Sequence, residues 1–512
     1  MTFTPLMATI VATARVFSRC GWLWALGLLS GVAGPVQSET IPITLLQLND
    51  VYEITPLADG QVGGLARVAT LRRRLLADNP RTYTLLAGDC LGPSALGTAT
   101  VDGERLAGRQ MVAVLNALGL DYATFGNHEF DLTAAQLQQR LRESRFIWVS
   151  SNVVDHSGQP FAGVAPARVL TVPGADGGQV RLGLLGLTGP YNRAAYVTYQ
   201  DPVAAARTQM QTVQADVWIA LTHLSLAEDI RLAEAVPAIR LIVGGHEHEN
   251  VQVWRGTALT PILKADANAR TVYVHHLRYD TATGRLTVNS QLQPITADLP
   301  AAPEIARLVG EWVERGFQGF RAEGFQPEAK VATTPVPLDG LEASVRNQAT
   351  ELTRLLAHAL LREAPDAQLA IYNSGSIRLD DVIQPGPVTQ YDVIRILPFG
   401  GKVLVVDLEG ALLQRVLDQG VANRGTGGYL HTANVDRHPD GRAWLIQGQP
   451  LAPRRRYRVA LNDFLISGGE TGLGFLSPSH PGLTVVARKR DIRFALIAQL
   501  QNAFPAEPAA TP

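Results

Sequence analysis

Over the first half of the chain, short β-rich apolar runs alternate with longer stretches whose apolar positions recur at helical spacing. The runs at 41–49, 82–87, 122–125, 180–187, 217–222 and 239–243 read as strands, and 65–77, 108–118 and 134–142 as helices. Such alternation predicts an α/β layered core. From 251 to about 295 helical spacing stops, and strand-like runs follow at 271–277 and 285–292. A sheet packed on a sheet, with helices outside, accommodates both patterns. The segment 304–320, carrying Ile305, Leu308, Val309 and Trp312, predicts a connector helix, beyond which a second βα pattern runs to Phe504.

A chain of 512 residues, 46% of them hydrophobic, is too long for one domain of ordinary size. The breaks in pattern divide it into a first domain over 39–300, a connector over 301–325 and a second domain over 326–505. The Pro/Ala-rich tail 506–512 is expected to be disordered. At the other end, Arg15 and Arg19 precede the apolar stretch 20–34, and Val36 and Ser38 supply small residues at signal-peptidase spacing. Residues 1–38 therefore read as a signal peptide for a periplasmic or secreted protein, the stretch falling short of the ~20 residues that cross a bilayer. A retained anchor is the other reading. After cleavage the one cysteine left is Cys90, so no internal disulfide is available. A formal net charge of −1 gives no broad footprint for a nucleic-acid polymer or an anionic membrane.

Five apolar strands end in a potential metal ligand. These are Asp50, Asp89 after Gly88, Asn127 after Gly126, His223, and the pair His246 and His248 after two glycines. Sites in α/β folds gather at the carboxyl ends of strands, where glycine permits a tight turn. Any one Asp or Asn after a strand is commonly a turn former or helix cap, and a lone His223 would commonly be a satisfied core histidine. The His-x-His pair has no such packing role, and the common placement of all six argues for one centre. Two carboxylates, an amide and three imidazoles without thiolate suit Mn, Zn, Co or Fe. A shared aspartate would bridge two divalent or mixed-valence ions, an arrangement that activates water and clamps a phosphoryl group. Cys90 reads as a small buried packing residue.

The ordered set GDC (88–90), GNHEFD (126–131), TH (222–223) and GHEH (245–248) resembles the calcineurin-like metallophosphoesterase signature. More narrowly, the chain resembles the 5′-nucleotidase family, with NSGSIR (373–378), LPFGGKVLVVDLEG (397–410) and NDFLISGGETG (462–472) similar to its second-domain motifs. The resemblance implies a ββ-sandwich metallophosphoesterase domain flanked by helices, joined by the connector to an α/β nucleotide-binding domain. It places Asp50, Asp89 and His248 at a first ion, and Asp89, Asn127, His223 and His246 at a second. His128 and Asp131 resemble the catalytic dyad, an imidazolium beside the phosphate with a carboxylate to orient it. Asp131 also suits a helix cap.

By position, Phe399 and Phe464 would sandwich a base, Asn373 would meet it, Glu470 would take the ribose hydroxyls, and Arg346 and Arg378 would bind phosphate or ribose. Both phenylalanines also suit a core, and Arg378 a helix end. Two departures stand out. The family's Asp-x-His reads Asp50-Val51-Tyr52, leaving three readings: Tyr52 ligates as phenolate, Glu53 substitutes, or the first site is weak. Around Arg346 the pattern is replaced by Ala349, Thr353, Arg354 and His358, and Ser374 and Ser376 stand for loop glycines.

The implied function is an exported dinuclear-metal hydrolase releasing phosphate from small-molecule nucleotides by attack of metal-activated water. It would act as a monomer or dimer, with no stable membrane insertion. The alternatives are a UDP-sugar hydrolase, a 2′,3′-cyclic nucleotide phosphodiesterase/3′-nucleotidase, another phosphomonoesterase, a thiosulfate-processing relative, or a degenerate nucleotide-binding protein. Rotation of the second domain about the connector is a further implication.

Overall fold

A computed structural model describes residues 39–505 apart from 59, 193, 439, 440 and 442. The signal-peptide and tail expectations lie outside these residues. Among the described residues no helix is long and apolar enough to cross a membrane.

The first domain is two sheets face to face. One has seven strands in the order Val164–Ala165, Ile147–Val149, Tyr122–Thr124, Thr82–Ala87, Thr40–Leu48, Thr271–Asp280 and Arg285–Pro294. Its first five strands run parallel, and the last two are antiparallel. The other has six strands, with Gln179–Thr188, Val217–His223, Ile239–Gly244 and Thr260–Lys264 parallel at its centre. Alternation along each strand decides which layer a side chain enters. Ile43 and Leu45 meet Ile219, Leu221 and Val243 between the sheets. Leu46 and Leu86 face the opposite way, against Leu65, Val68 and Met111 of the helices Leu65–Asp78 and Arg109–Leu118. On the far side Ala220 and Ile242 pack on Ala206 and Leu232 of Pro202–Thr212 and Leu226–Ala235. The expected sandwich flanked by helices is the observed one.

The connector is the helix Pro303–Ala322, opened by a proline at its first turn. It packs so closely on the first domain that a Cβ at Gly316 would stand 2.3 Å from Leu96 Cδ1 and one at Gly319 2.4 Å from Thr100 O. Beyond it, a five-stranded sheet in the order Leu430–Ala433, Leu369–Asn373, Arg456–Asn462, Lys402–Glu409 and Leu483–Asp491 forms the second α/β unit. Leu413 and Val416 of Gly410–Ala422 cover one face with Leu404 and Val406. Leu352, Leu356 and Leu496, from the helices Glu351–Glu363 and Ile492–Ala503, cover the other.

Candidate functional site

Each of the expected ligands stands where a strand of the sandwich gives way to its loop, and several pay for that position in backbone strain. Asp50, Asp89, His246 and His248 all adopt positive φ, at 51°, 55°, 92° and 62°. L-residues adopt such angles uncommonly, Asp and His more often than most. Glycine is required at two neighbouring positions. A Cβ on Gly88 would lie 2.6 Å from Gly126 N and His223 Nδ1, and one on Gly126 only 2.0 Å from Asp89 Oδ1.

The aspartate and histidine side chains converge, whereas, among the described residues, the Asn127 side chain has no hydrogen bond or ion pair to them. Asp50, Asp89 and His223 form a buried cluster able to hold a metal ion, their ligand atoms all within 4.8 Å of one another. His223 Nε2 stands 3.1 Å from Asp89 Oδ2 and 3.8 Å from Asp50 Oδ1. Its Nδ1–H donates to Ala87 O at 2.9 Å, which turns the lone pair of Nε2 toward the cluster. The His246 ring centroid is 5.2 Å from that of His223, and Tyr191 stacks on its other face at 4.1 Å. His248 Nε2 lies 3.5 Å from Asp50 Oδ1 and 2.9 Å from Tyr52 Oη. Burial, reinforced by the nearby His223 charge, holds His246 down to about 2, so it is a neutral donor. Burial opposes charge on His223 and His248 as well. There Asp89 and Asp50 prevail for His223 and Asp380 for His248, raising them to about 10 and about 9. Positive charge is thus wanted at this place.

Cation fit is tested by the polar atoms left over. Asp50 Oδ1, Asn127 Oδ1 and His223 Nε2 are buried with no hydrogen-bond partner among the described residues. An orphaned buried acceptor is costly. Two of them, Asp50 Oδ1 and His223 Nε2, belong to the cluster with Asp89, where a bound cation would satisfy them.

Tyr52 occupies the position where the family pattern has histidine. It is 7% exposed, and its hydroxyl donates to Asp89 Oδ2 at 3.1 Å. Burial, with Asp89 and Asp50 beside it, pushes its phenol well above the usual range, so the proton stays on in this state. The Glu53 carboxyl is raised by burial, against the lowering effect of the Arg395 charge. Cys90 is fully buried, as expected of a packing residue.

Beside the cluster, His128 Nδ1 meets Asp131 Oδ2 at 2.6 Å, and its backbone N–H donates to Asp89 Oδ1 at 2.7 Å. From the second domain, Arg378 Nη2 donates to His128 Nε2 at 2.8 Å. Arg378 Nη1 also pairs with Glu342 Oε1 at 3.0 Å, and Arg346 contacts the same carboxylate. The remaining substrate-side residues form a separate group. Asn373 Nδ2 donates to Glu470 Oε2 at 2.7 Å, and Asn462 Nδ2 to Asn373 Oδ1 at 3.0 Å. Phe399 and Phe464 are 53% and 45% exposed, which removes the core reading for both. Their loops touch through Lys402 N–H donating to Asp463 Oδ2 at 2.9 Å. Among the described residues no hydrogen bond joins this group to the metal cluster.

Sequence reasoning passed over several participants. Glu129, fully buried, accepts the backbone N–H groups of Asp89, Cys90, Leu91 and Gly126 at 2.5–3.0 Å and so ties two ligand loops together. It sits inside the GNHEFD motif, and a carboxylate in a glycine turn was its available signal. Asn192 Nδ2 holds Asp131 Oδ1 at 2.8 Å, and Asp380 Oδ2 holds His248 Nδ1 at 2.6 Å. Neither has a local sequence signal.

A two-sheet sandwich with aspartates and histidines converging at the ends of its parallel strands defines a metal-dependent phosphoesterase. Residues 43–250 match the model of the calcineurin-like phosphoesterase family, and residues 330–476 match that of the 5′-nucleotidase C-terminal domain. The chain thus carries a calcineurin-like phosphoesterase domain followed by a 5′-nucleotidase C-terminal domain, and it is a hydrolase of phosphoester substrates. It is similar to Protein UshA of Yersinia enterocolitica, 26% identical over 500 residues that cover 85% of this chain and 87% of that one. It is also similar to the 5′-nucleotidase of Bos taurus, 25% identical with 84% and 83% covered. The solved structure of a 5′-nucleotidase precursor from Thermus thermophilus shares the fold, with TM-score 0.75, 24% identity, and 92% and 98% of the two chains covered.

Proposed function

We propose that this chain is an exported dinuclear-metal phosphohydrolase that releases phosphate from nucleotides. The observation that carries the reading is the buried cluster of Asp50, Asp89 and His223, in which Asp50 Oδ1 and His223 Nε2 have no hydrogen-bond partner among the described residues, with the His128–Asp131 pair tied to Asp89 beside it. Asp50, Asp89 and His248 would hold one ion, and Asp89, Asn127, His223 and His246 the other. Bound there, the ions supply a water of lowered pKa and a clamp on the phosphoryl oxygens. The chain's own residues do the rest. Asp131, held by Asn192, fixes the His128 ring through Nδ1, so Nε2 faces the place where Arg378 now donates. That Nε2 accepts from Arg378 here, and once it carries a proton in place of that bond it is the atom to pass one to the leaving oxygen. Arg378 already supplies a guanidinium at hydrogen-bond distance from it, and so marks where phosphate charge would sit.

The nucleoside end would be the group around Phe399, Phe464, Asn373 and Glu470, two exposed rings above a cluster of amides and a carboxylate. The names of the relatives, 5′-nucleotidases among them, support this substrate class. Export rests on the signal-peptide pattern of 1–38. The test is phosphate release from AMP, ATP, UDP-glucose and cyclic AMP by metal-stripped protein resupplied separately with Mn, Zn, Co or Fe. The expected result is metal-dependent turnover of AMP or ATP. Turnover of UDP-glucose or cyclic AMP alone would move the assignment to those substrates, and nucleotide binding without turnover with any metal would end it.

A further inference from the structure

We propose that the Tyr52 hydroxyl is a ligand of the first cation, and that the site it completes selects a trivalent ion, ferric iron, beside a divalent ion in the second site. This rests on the dinuclear reading above and names the ion that reading leaves open. Distances carry the first half. Ligand atoms at right angles about 2.1 Å from one ion stand about 3.0 Å from each other. Tyr52 Oη is 3.1 Å from Asp89 Oδ2 and 2.9 Å from His248 Nε2, and His248 Nε2 is 3.5 Å from the orphaned Asp50 Oδ1. Tyr52 Oη thus stands at the separation of a neighbouring vertex from both Asp89 Oδ2 and His248 Nε2, and Asp50 Oδ1 lies within a further 0.5 Å of that spacing from His248 Nε2. The phenol is also held there by its backbone. Tyr52 N–H donates to Asn268 Oδ1 at 2.8 Å, and Asn268 N–H donates to Asp50 O at 2.8 Å, clamping the turn that presents both residues.

Charge carries the second half. The first site offers two carboxylates, a neutral imidazole and Tyr52 in a pocket where Asp50 is 0% and Asp89 1% exposed. The second adds only the neutral donors Asn127, His223 and His246. With histidine at position 52 two carboxylates would face two divalent ions. A phenolate adds one negative charge, and replacing a divalent ion by a trivalent one restores the same net charge in a place where uncompensated charge is expensive. Phenolate oxygen is a hard donor, which favours the smaller, more highly charged ion. As the ion binds, the Oη–H bond breaks, that proton and the one on His248 Nε2 pass to bulk water, and Oη–Fe and Nε2–Fe bonds form. No electron is transferred, and iron stays ferric.

The experiment loads the metal-stripped full-length chain with ferric ion, zinc, or both, and reads metal content by elemental analysis together with the visible absorption spectrum. A phenolate bound to ferric iron absorbs visible light, whereas carboxylate and imidazole ligands do not produce that band. The expected result is one iron and one zinc per chain, a broad visible band, loss of the band in Tyr52→Phe, and retention of iron in that variant weakened about tenfold or more, with zinc retention unchanged. Tyr52→His, which restores Asp-x-His, should lose the band and take two divalent ions. It serves as the folded control if the phenylalanine variant does not accumulate. Iron bound without the band, a band that survives Tyr52→Phe, or uptake of two zinc ions in preference to iron overturns the proposal while leaving the dinuclear reading standing. Absence of any bound ion in the unsubstituted chain overturns both.

Discussion

His248, at the end of the first domain's central strands, hands its Nδ1 to Asp380 of the second domain at 2.6 Å. The contact leaves Nε2 free to face Asp50 and Tyr52. A carboxylate behind a ligating imidazole fixes its tautomer and raises its basicity, and losing it costs about 10- to 100-fold in metal affinity. Asp380→Asn should therefore weaken the first cation by about that factor, read by titration of metal-stripped protein. An unchanged affinity would mean that the second domain does not support the metal centre.

The dyad gives a different signature. His128 touches the cluster through its backbone N–H to Asp89 and the edge of its ring against Tyr52, and its Nε2 is aimed at the place Arg378 occupies. His128→Asn keeps the backbone donor and removes the proton carrier. Turnover should fall by about 10²- to 10⁴-fold with metal content unchanged. A parallel loss of metal would show that the residue is structural.

How far the site was legible depends on how local each signal is. Asp89 and Asn127 announce themselves because a glycine must precede each at the strand end, and the contacts of Gly88 and Gly126 show why. The connector was readable from its apolar stripe to within two residues, at Pro303–Ala322, because Ile305, Val309 and Trp312 form one face. Asp380 and Asn192 were not readable, since their partners lie 132 and 61 residues away and nothing near them in sequence marks the meeting. The strand Ala167–Pro173 also escaped. It is an edge strand with one fully buried residue, Val172, so it lacks the alternation that marks a half-buried strand.

Lys264 is a buried cation with a structural task near the ligand loop. It is 0% exposed, its Nζ donates to Leu224 O at 2.6 Å, pairs with Asp229 at 2.8 Å and contacts Glu247, the residue between His246 and His248. Removing one partner of a buried pair costs about 3–5 kcal/mol because the other charge is stranded. Lys264→Met should lose about that much stability in urea unfolding. The paired change Lys264→Met with Asp229→Asn should recover part of it, and a single-variant loss under about 1 kcal/mol would refute the pair's role.

Acid should destabilise the fold through two histidines remote from the metal centre. His275 is fully buried between Ser290 Oγ and Gln47 Oε1, at 2.8 and 2.9 Å, and burial followed by the His276 charge holds it down to about 3. His431 shares an Nε2 contact with Val345 O at 2.7 Å, yet burial outweighs that bond and holds it down to about 4. The unfolded chain protonates both near 6.5. Between that value and pH 4 the unfolded state therefore binds protons that the folded state refuses. Stability is complete above pH 6.5 and falls as pH drops, by up to about 1.4 kcal/mol per pH unit for each histidine. The measurement is proton uptake on unfolding at pH 5. His275→Gln and His431→Gln should each remove close to one proton from it, and an uptake that neither substitution changes would show that these side chains are already protonated in the folded protein.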